Sequence, residues 1–146
     1  EASIEALREG LLIHDLLAEV SFAVDVPDVV AGALLSGNIN NQEYNHYLEM
    51  LKKIVDHPKL SPYYQEGVEV YNEKDILIPQ KSFVRPDRVV KNKDGWVIID
   101  YKTGKERPHH STQILYYVSL LEEMTKEKLK CFLVYIGEKT VVKKVV

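Results

Sequence analysis

The spacing of apolar residues divides the chain into a helical first part and a strand-rich second part. Up to about residue 60, apolar side chains recur every three or four positions, which is typical of amphipathic helices. Residues that cap or break helices mark their limits. Three helices and one short turn are predicted: residues 3 to 20 with Ser3 as N-cap, residues 28 to 35, a helix capped by Asn40 or Asn41 that stops before Pro58, and a turn at Ser61-Pro62.

After Gly67 the pattern changes to short runs rich in β-branched residues, which predict strands. These strands are residues 68–78, 82–91, 96–102, 129–136 and 140–146, with one helix over 111–126. The first strand is polar at residues 72–75, where a turn or bulge could interrupt it. The strands 96–102 and 129–136 are apolar on both faces, as expected of strands covered on both sides. The helix between them is long enough to connect two parallel strands. We therefore expect an α/β fold with a mixed sheet.

Two predicted strands form a hairpin that brings charged residues together. The dipeptide Asp94-Gly95 favours a tight turn. If four residues form the loop, Asp87 lies directly opposite Asp100, and if Asp94 and Gly95 alone form it, Asp87 lies opposite Lys102. Because side chains alternate between faces along a strand, both registers place Asp87, Asp100 and Lys102 on one face of the sheet.

Two carboxylates and a lysine on one face suit metal-assisted cleavage of phosphodiesters. Opposed Asp87 and Asp100 would have Cβ atoms about 5 Å apart and would repel each other unless a cation lay between them. Oxygen ligands suit Mg²⁺ or Mn²⁺, which activate water and neutralise phosphate charge. Lys102 could hold the attacking hydroxide or offset the charge of the transition state. The alternative is an Asp–Lys salt bridge at a sheet edge.

Other candidate residues lie outside the hairpin. Gly10 within a helix costs about 1 kcal/mol relative to Ala, which suggests close packing on the face that also carries His14. His14 is either a core histidine or a third metal ligand. Gln113 and Tyr117 are one helical turn apart. Gln113 could orient water or a phosphate oxygen, and Tyr117 could contact a phosphate or stack on a base. The alternative is that Gln113 is solvent-exposed and Tyr117 is an ordinary core residue. One further carboxylate could come from Glu69 or Glu73.

Length and composition indicate one globular domain over residues 1–146, because 146 residues with 45% apolar content can bury a core. No apolar run approaches the roughly 20 residues that span a bilayer, so no membrane association is expected. The single cysteine excludes an internal disulfide and a cysteine-cluster metal site, and it fits an intracellular location. The chain begins at Glu1, which favours a fragment of a longer protein.

Positive charge is concentrated around the hairpin although the net charge is −3. Residues 79–110 contain eight Lys or Arg and four Asp or Glu, a balance of +4, and the rest of the chain carries −7. This distribution fits a ligand with a phosphate backbone, whereas the plainer interpretation is a basic loop without a partner. The candidate contacts to such a ligand are Arg85, Arg88, Lys105 and Arg107.

Several motifs in this order resemble the RecB-type nuclease domains of the PD-(D/E)xK superfamily, as found at the C-terminus of AddA- and RecB-like helicase–nucleases. The resemblance covers about residues 8 to 120. Its motifs are Gly10-x-x-x-His14, a Glu near 69–73, Pro86-Asp87, Asp100-Tyr101-Lys102-Thr-Gly and Gln113-x-x-x-Tyr117.

The resemblance implies a restriction-endonuclease-like αβββαβ core, a mixed sheet flanked by helices with extra N-terminal helices, and cleavage of DNA. It implies that His14, Asp87, Asp100 and the Tyr101 carbonyl bind Mg²⁺ or Mn²⁺. Lys102 would be catalytic, Gln113 and Tyr117 would assist, and Glu73 fits the family glutamate better than Glu69. The expected activity is that of a bacterial cytoplasmic exonuclease of DNA recombination and repair.

The chain also departs from some members of that family. Members with an iron–sulfur cluster hold it with four cysteines, so one cysteine excludes a cluster here. No phosphate-binding loop of the Gly-x-x-x-x-Gly-Lys-Ser/Thr type occurs, so a helicase motor would lie elsewhere in the polypeptide or in a partner subunit. The alternatives are a free-standing defence or restriction-type nuclease and an inactive DNA-binding scaffold.

Overall fold

A computed structural model describes residues 3–77 and 83–146 of the chain. The chain forms two compact units, Glu1–Glu66 and Gly67–Val146. The first unit is helical and the second is built around a β-sheet. Within the described residues, every helix is too short or too polar to cross a membrane.

The first unit contains three helices. The first and third begin at predicted caps, whereas the second begins at Val26, two residues before the predicted start at residue 28. The Ser3 side chain accepts a hydrogen bond from the Ala6 N–H at the start of the first helix. Asn40, not Asn41, caps the third helix, since its side chain accepts from the Glu43 N–H while Glu43 accepts from the Asn40 N–H. The helices are α1 (Ile4–Ala18), α2 (Val26–Leu35) and α3 (Asn41–Val55), with 3₁₀ turns at Ala23–Asp25 and Ser61–Tyr64.

The core of the helical unit is formed by apolar residues spaced three or four apart on each helix. Removing such side chains from water contributes about 1.5–3 kcal/mol each. The residues buried in this way are Ile13, Leu16 and Leu17 of α1, Val26, Val30 and Ala33 of α2, and Tyr47, Leu51, Ile54 and Val55 of α3.

The second unit contains a five-stranded mixed sheet with the strand order β1-β4-β5-β6-β7. Neighbouring strands are antiparallel except β5 and β6, which are parallel and are joined by the helix α4. Strands β2 and β3 form a separate antiparallel pair. The predicted mixed α/β fold of the restriction-endonuclease-like class is therefore confirmed. The elements are β1 (Glu69–Asn72), β2 (Ile76–Leu77), β3 (Phe83–Val84), β4 (Arg88–Asn92), β5 (Gly95–Thr103), α4 (Pro108–Thr125), β6 (Leu129–Ile136) and β7 (Val141–Lys144).

Helix α4 packs on one face of the sheet through a cluster of buried side chains. Val89 of β4 and Ile98 of β5 belong to this cluster together with Ile114, Val118 and Leu121 of α4. Because side chains alternate along a strand, positions 96, 98, 100 and 102 of β5 all lie on the face that α4 covers. The face of β5 that packs against α4 is therefore the face that ends in the polar residues Asp100 and Lys102.

The hairpin has the pairing of Lys91 with Trp96 that the four-residue loop of the first predicted register requires, so the turn is centred one residue before the Asp94-Gly95 dipeptide. Lys93 and Asp94 form the turn, and Gly95 is already the first residue of β5, opposite Asn92. The Asn92 side chain accepts a hydrogen bond from the Asp94 N–H, and Gly95 has a φ of 124° that favours glycine.

The predicted first strand is interrupted at its polar residues 72–75, as their polarity indicates. Strand β1 ends at Asn72, and Glu73 follows with a φ of 46°. The predicted strand limits at residues 78 and 82 lie outside the described residues.

Candidate functional site

The pairing of β4 with β5 places the two aspartates opposite each other. Arg88, the first residue of β4, pairs with Ile99, so continuing this register by one residue beyond the strand sets Asp87 opposite Asp100, as the first of the two predicted registers requires. The Asp87 N–H donates to Asp100 Oδ1 at 2.9 Å, and the Tyr101 N–H donates to Asp87 Oδ2 at 2.8 Å. Each carboxylate is therefore held against the backbone of the neighbouring strand.

The aspartates and Lys102 lie on the face of the sheet that α4 covers. Val89 and Ile98 face α4, so alternation places Asp87, Asp100 and Lys102 on the same face. Because Asp87 lies opposite Asp100 rather than Lys102, the register disfavours a simple cross-strand salt bridge.

The carboxylates of Asp87 and Asp100 suit a divalent cation. Asp100 is only 4% exposed, and a buried carboxylate is costly unless hydrogen bonds or a cation compensate its charge. Hard oxygen donors are the ligands that Mg²⁺ and Mn²⁺ prefer. Across residues 3–77 and 83–146, however, no three His, Cys, Asp or Glu side chains are grouped so that they could hold a metal ion.

Helix α4 connects Lys102 to the neighbourhood of the aspartates. The Lys102 ammonium donates to Gln113 Oε1 at 2.9 Å, and Gln113 Nε2 donates to the Tyr117 hydroxyl at 3.3 Å. Burial and then the negative charge of Asp100 raise the pKa of Tyr117, so its hydroxyl stays protonated at neutral pH. Gln113 and Tyr117 share one face of the helix, as their spacing predicts.

The contacts of β1 and of the residue after it distinguish the two candidate glutamates, Glu69 and Glu73. The Glu73 N–H donates to the Asp87 carbonyl at 2.9 Å, so Glu73 lies beside Asp87. Glu69 pairs with Lys91 near the turn of the hairpin, away from the aspartates. Glu73 is therefore the better placed of the two.

His14 lies in the helical unit, on α1. Its Nδ1 is 2.9 Å from the carbonyl oxygen of Gly10, which is buried. A carbonyl oxygen only accepts, so Nδ1 carries the proton, and in the neutral ring Nε2 then carries the lone pair. This tautomer is the one that a metal ligand bound through Nε2 requires.

The structure corrects one predicted DNA contact among the basic residues. Arg88 has no solvent-exposed surface and donates to Asn72 Oδ1 at 3.3 Å, so it is not a surface contact. It follows Asp87 directly in the strand and therefore lies on the opposite face of the sheet. Arg85 is exposed and pairs with Asp75 at 2.7 Å, and Lys105 and Arg107 are exposed between β5 and α4.

The sequence interpretation missed His110, which lies in the first turn of α4. The His110 Nδ1 is 2.9 Å from the Tyr135 hydroxyl, and Tyr135 pairs with Lys102 across β5 and β6. This contact fixes the start of α4 beside Lys102. The sequence could have indicated His110, because it lies three residues before Gln113 and therefore on the same side of the predicted helix.

The stability of the protein is expected to decrease below about pH 6.5 because of His110. Burial and then the positive charge of Lys102 lower the pKa of His110. His110 therefore binds a proton more readily in the unfolded chain than in the folded protein. The free energy of unfolding that His110 contributes is fully present above about pH 6.5, and it is lost as the pH falls from there to the lower pKa of the folded state. Thermal unfolding at pH 7.5 and pH 5 should show a smaller loss for His110→Gln than for the unsubstituted protein. The exposed neighbour His109→Gln is the control, and an equal loss in all three proteins would exclude His110 as the cause.

Comparisons with known proteins identify the family. The sequence profile of the PD-(D/E)XK nuclease superfamily matches residues 1–146, the whole chain. No curated protein sequence matches the chain. Among solved structures, the chain is similar to the crystal structure of SSO0001, with 16% sequence identity and a TM-score of 0.39 over 94% of this chain and 78% of that chain. On the strength of the profile match, the chain belongs to the PD-(D/E)XK nuclease superfamily.

Proposed function

We propose that this chain is a Mg²⁺- or Mn²⁺-dependent deoxyribonuclease that hydrolyses phosphodiester bonds. The observation that carries the proposal is that Asp87, directly before β4, and Asp100 of β5 lie together. The Asp87 N–H donates to Asp100, the Tyr101 N–H donates to Asp87, and Lys102 follows two residues after Asp100. A scaffold without activity has no need of two opposed carboxylates beside a lysine, since like charges opposite each other are destabilising.

The residues that would hold the cation are Asp87, Asp100 and the Tyr101 carbonyl. His14 is added to this set, through Nε2, on the order of the sequence motifs alone, since across the described residues no three His, Cys, Asp or Glu side chains are grouped to hold a metal ion. Both aspartates offer hard oxygen ligands, and the hydrogen bond of His14 to Gly10 favours the tautomer that can bind a metal. A divalent cation bound there would lower the pKa of a water molecule and neutralise charge on the phosphate.

The side chains around the aspartates would act on the DNA itself. The Lys102 ammonium, oriented by Gln113, would stabilise the negative charge that develops on the phosphate oxygens. The protonated hydroxyl of Tyr117 could donate a hydrogen bond to a phosphate oxygen. Exposed Lys105 and Arg107 would hold the DNA backbone by charge attraction.

We further infer a RecB-type module that acts as an exonuclease within a DNA recombination and repair helicase–nuclease of the bacterial cytoplasm. The order of the motifs from Gly10 and His14 to Gln113 and Tyr117 supports this context. A helicase motor would then lie in another part of the polypeptide or in a partner subunit. Helicase motifs in the parent gene would distinguish this assignment from a free-standing defence or restriction-type nuclease.

The activity can be tested on three DNA substrates, namely single-stranded and double-stranded DNA labelled at the ends and a closed circular duplex. With Mn²⁺, we expect cleavage of a linear substrate and none of the circle, because an exonuclease requires an end. Chelation of the metal should stop the reaction. Cleavage of the circle would show an endonuclease, and no cleavage of any substrate with Mn²⁺ or Mg²⁺ would contradict the proposal.

The substitution His14→Ala is expected to weaken Mn²⁺ binding by at least about tenfold, because loss of one ligand or its orientation has effects of that size. Isothermal calorimetry measures the affinity directly, without DNA. His46→Ala is a matched control, since His46 is an exposed histidine of α3 that contacts Glu9. If His14→Ala and His46→Ala bind Mn²⁺ equally well, His14 is a structural residue of α1.

A further inference from the structure

The helical unit contains an open groove between α1 and α2. Its volume is about 900 Å³. The apolar part of its lining comes from Leu11, Leu12 and Leu16 of α1 and from Val29 and Ala33 of α2. The groove is lined wholly by residues within 8–38, and none of them belongs to the strands that carry the aspartates.

An exposed apolar stripe of α1 continues from this groove. Ile4, Leu7 and Leu11 are 86%, 58% and 71% exposed, and Leu11 also lines the groove. Their spacing of three and four residues places them on one side of the helix. This spacing is the one at which two helices contact each other in a helix-in-groove complex.

Gly32 on the opposite wall has no evident function within the chain itself. It lies inside α2, where glycine costs about 1 kcal/mol relative to alanine. A Cβ atom at this position would meet no neighbouring heavy atom of the described residues within 4 Å, so packing within the chain does not require glycine. A glycine at this point leaves the backbone of α2 open to close approach from outside.

The rim of the groove is acidic. Asp15, Glu19, Asp25 and Asp28 line it, whereas its basic residue Arg8 is paired with Glu43 of α3. The whole unit 1–66 contains eleven Asp or Glu and four Lys or Arg, a net charge of −7, while residues 67–146 carry +4. This charge disfavours nucleic acid and anionic lipid and favours a cationic partner.

A metal ion is not the occupant that the groove favours. Within the described parts of the chain, the carboxylates of the rim do not form a group of three that could hold a cation. The apolar floor and the exposed stripe of α1 instead suit apolar side chains.

We propose that the groove between α1 and α2 binds a basic amphipathic helix of a protein partner. Apolar side chains of that helix would cover Leu7, Leu11 and Val29 and approach α2 at Gly32. Its Lys or Arg side chains would pair with the acidic rim. This interaction is independent of the nuclease chemistry, because its residues are not among those assigned to catalysis or metal binding.

The proposal can be tested with a labelled synthetic peptide of about five helical turns, with leucine on one face and lysine on both flanks. A second peptide carries glutamate in place of every lysine. Fluorescence anisotropy should show binding of the lysine peptide and none of the glutamate peptide. The substitution Gly32→Leu should weaken binding by at least about tenfold, because the new side chain fills the groove. A Cβ atom at position 32 would meet no heavy atom of the described residues within 4 Å, and leucine favours a helix more than glycine does, so thermal unfolding should show that this variant still folds.

Two substitutions of identical chemistry control for general charge attraction. Glu19→Gln removes a carboxylate from the rim, and Glu49→Gln removes an exposed carboxylate from α3. Binding should weaken for Glu19→Gln and stay unchanged for Glu49→Gln. Equal effects of the two, or full binding by Gly32→Leu, would overturn the proposal. A dimer that Gly32→Leu converts to a monomer in light scattering would also overturn it, since a second copy of the chain would then fill the groove.

Discussion

Replacing Asp100 by asparagine is expected to reduce DNA cleavage by about a thousandfold or more, which corresponds to about 4 kcal/mol of lost transition-state stabilisation. Asparagine has nearly the same size and keeps an oxygen that can accept the N–H of Asp87, a bond of 2.9 Å in the protein. The substitution therefore removes the negative charge while it preserves the link between β4 and β5. Loss of activity without loss of stability would separate the chemistry of Asp100 from its structural contact.

The matched control is Asp94→Asn, which makes the same chemical change in the turn of the same hairpin. Asp94 is exposed and lies at the opposite end of β5 from Asp100. Single-turnover cleavage of labelled DNA with Mn²⁺ should be unaffected by this change, and thermal unfolding should verify that both variants fold. If Asp100→Asn retained more than about a tenth of the activity, Asp100 would not be part of the catalytic group.

The hairpin shows how far the sequence could determine the candidate site. Alternation along the strands was enough to predict that Asp87, Asp100 and Lys102 share one face, because both registers give this result. The register itself depended on one turn, and Asp94-Gly95 was compatible with two. The turn that forms uses Lys93 and Asp94, since Gly95 takes a positive φ at the start of β5.

Arg88 shows the opposite case, in which a pattern was interpreted without its geometry. Counting basic residues around the hairpin placed Arg88 with the surface contacts, but a count does not report on which side of a sheet a residue lies. Arg88 is adjacent to Asp87 in sequence, so alternation alone could have assigned it to the other face. Its burial and its hydrogen bond to Asn72 depend on the neighbouring strand β1, which a local pattern does not reveal.

Contacts between distant segments account for most of what the sequence could not predict. The sequence favoured Glu73 over Glu69 only through the family resemblance, whereas the structure places Glu73 beside Asp87 by a backbone hydrogen bond and Glu69 opposite Lys91. His110 and Tyr135 are 25 positions apart, and their hydrogen bond exists because α4 returns the chain to β6 next to β5. Helix limits were predicted better, because caps such as Ser3 act within a few residues.

Replacing Lys102 by methionine is expected to lower kcat by about a hundredfold with little change in DNA affinity, the size of effect seen when one preorganised donor is removed from a transition state. Methionine keeps most of the apolar stem of lysine and removes the ammonium that donates to Gln113 at 2.9 Å. A charge that is positioned by α4 beside the aspartates should act on the transition state rather than on the bound DNA. The effect should therefore appear in kcat and not in the dissociation constant.

Lys105→Met provides the contrast, because Lys105 is an exposed lysine three residues further along the chain. A lysine that only contacts the DNA backbone contributes to affinity in a salt-dependent way, so this variant should bind DNA more weakly and keep its kcat. Affinity can be measured by filter binding without a catalytic metal, and kcat by saturating single-turnover cleavage. Lys102→Met could instead weaken DNA binding and keep kcat, as expected for Lys105→Met. Lys102 would then be a contact to the DNA backbone, and another group would have to stabilise the charge on the phosphate oxygens.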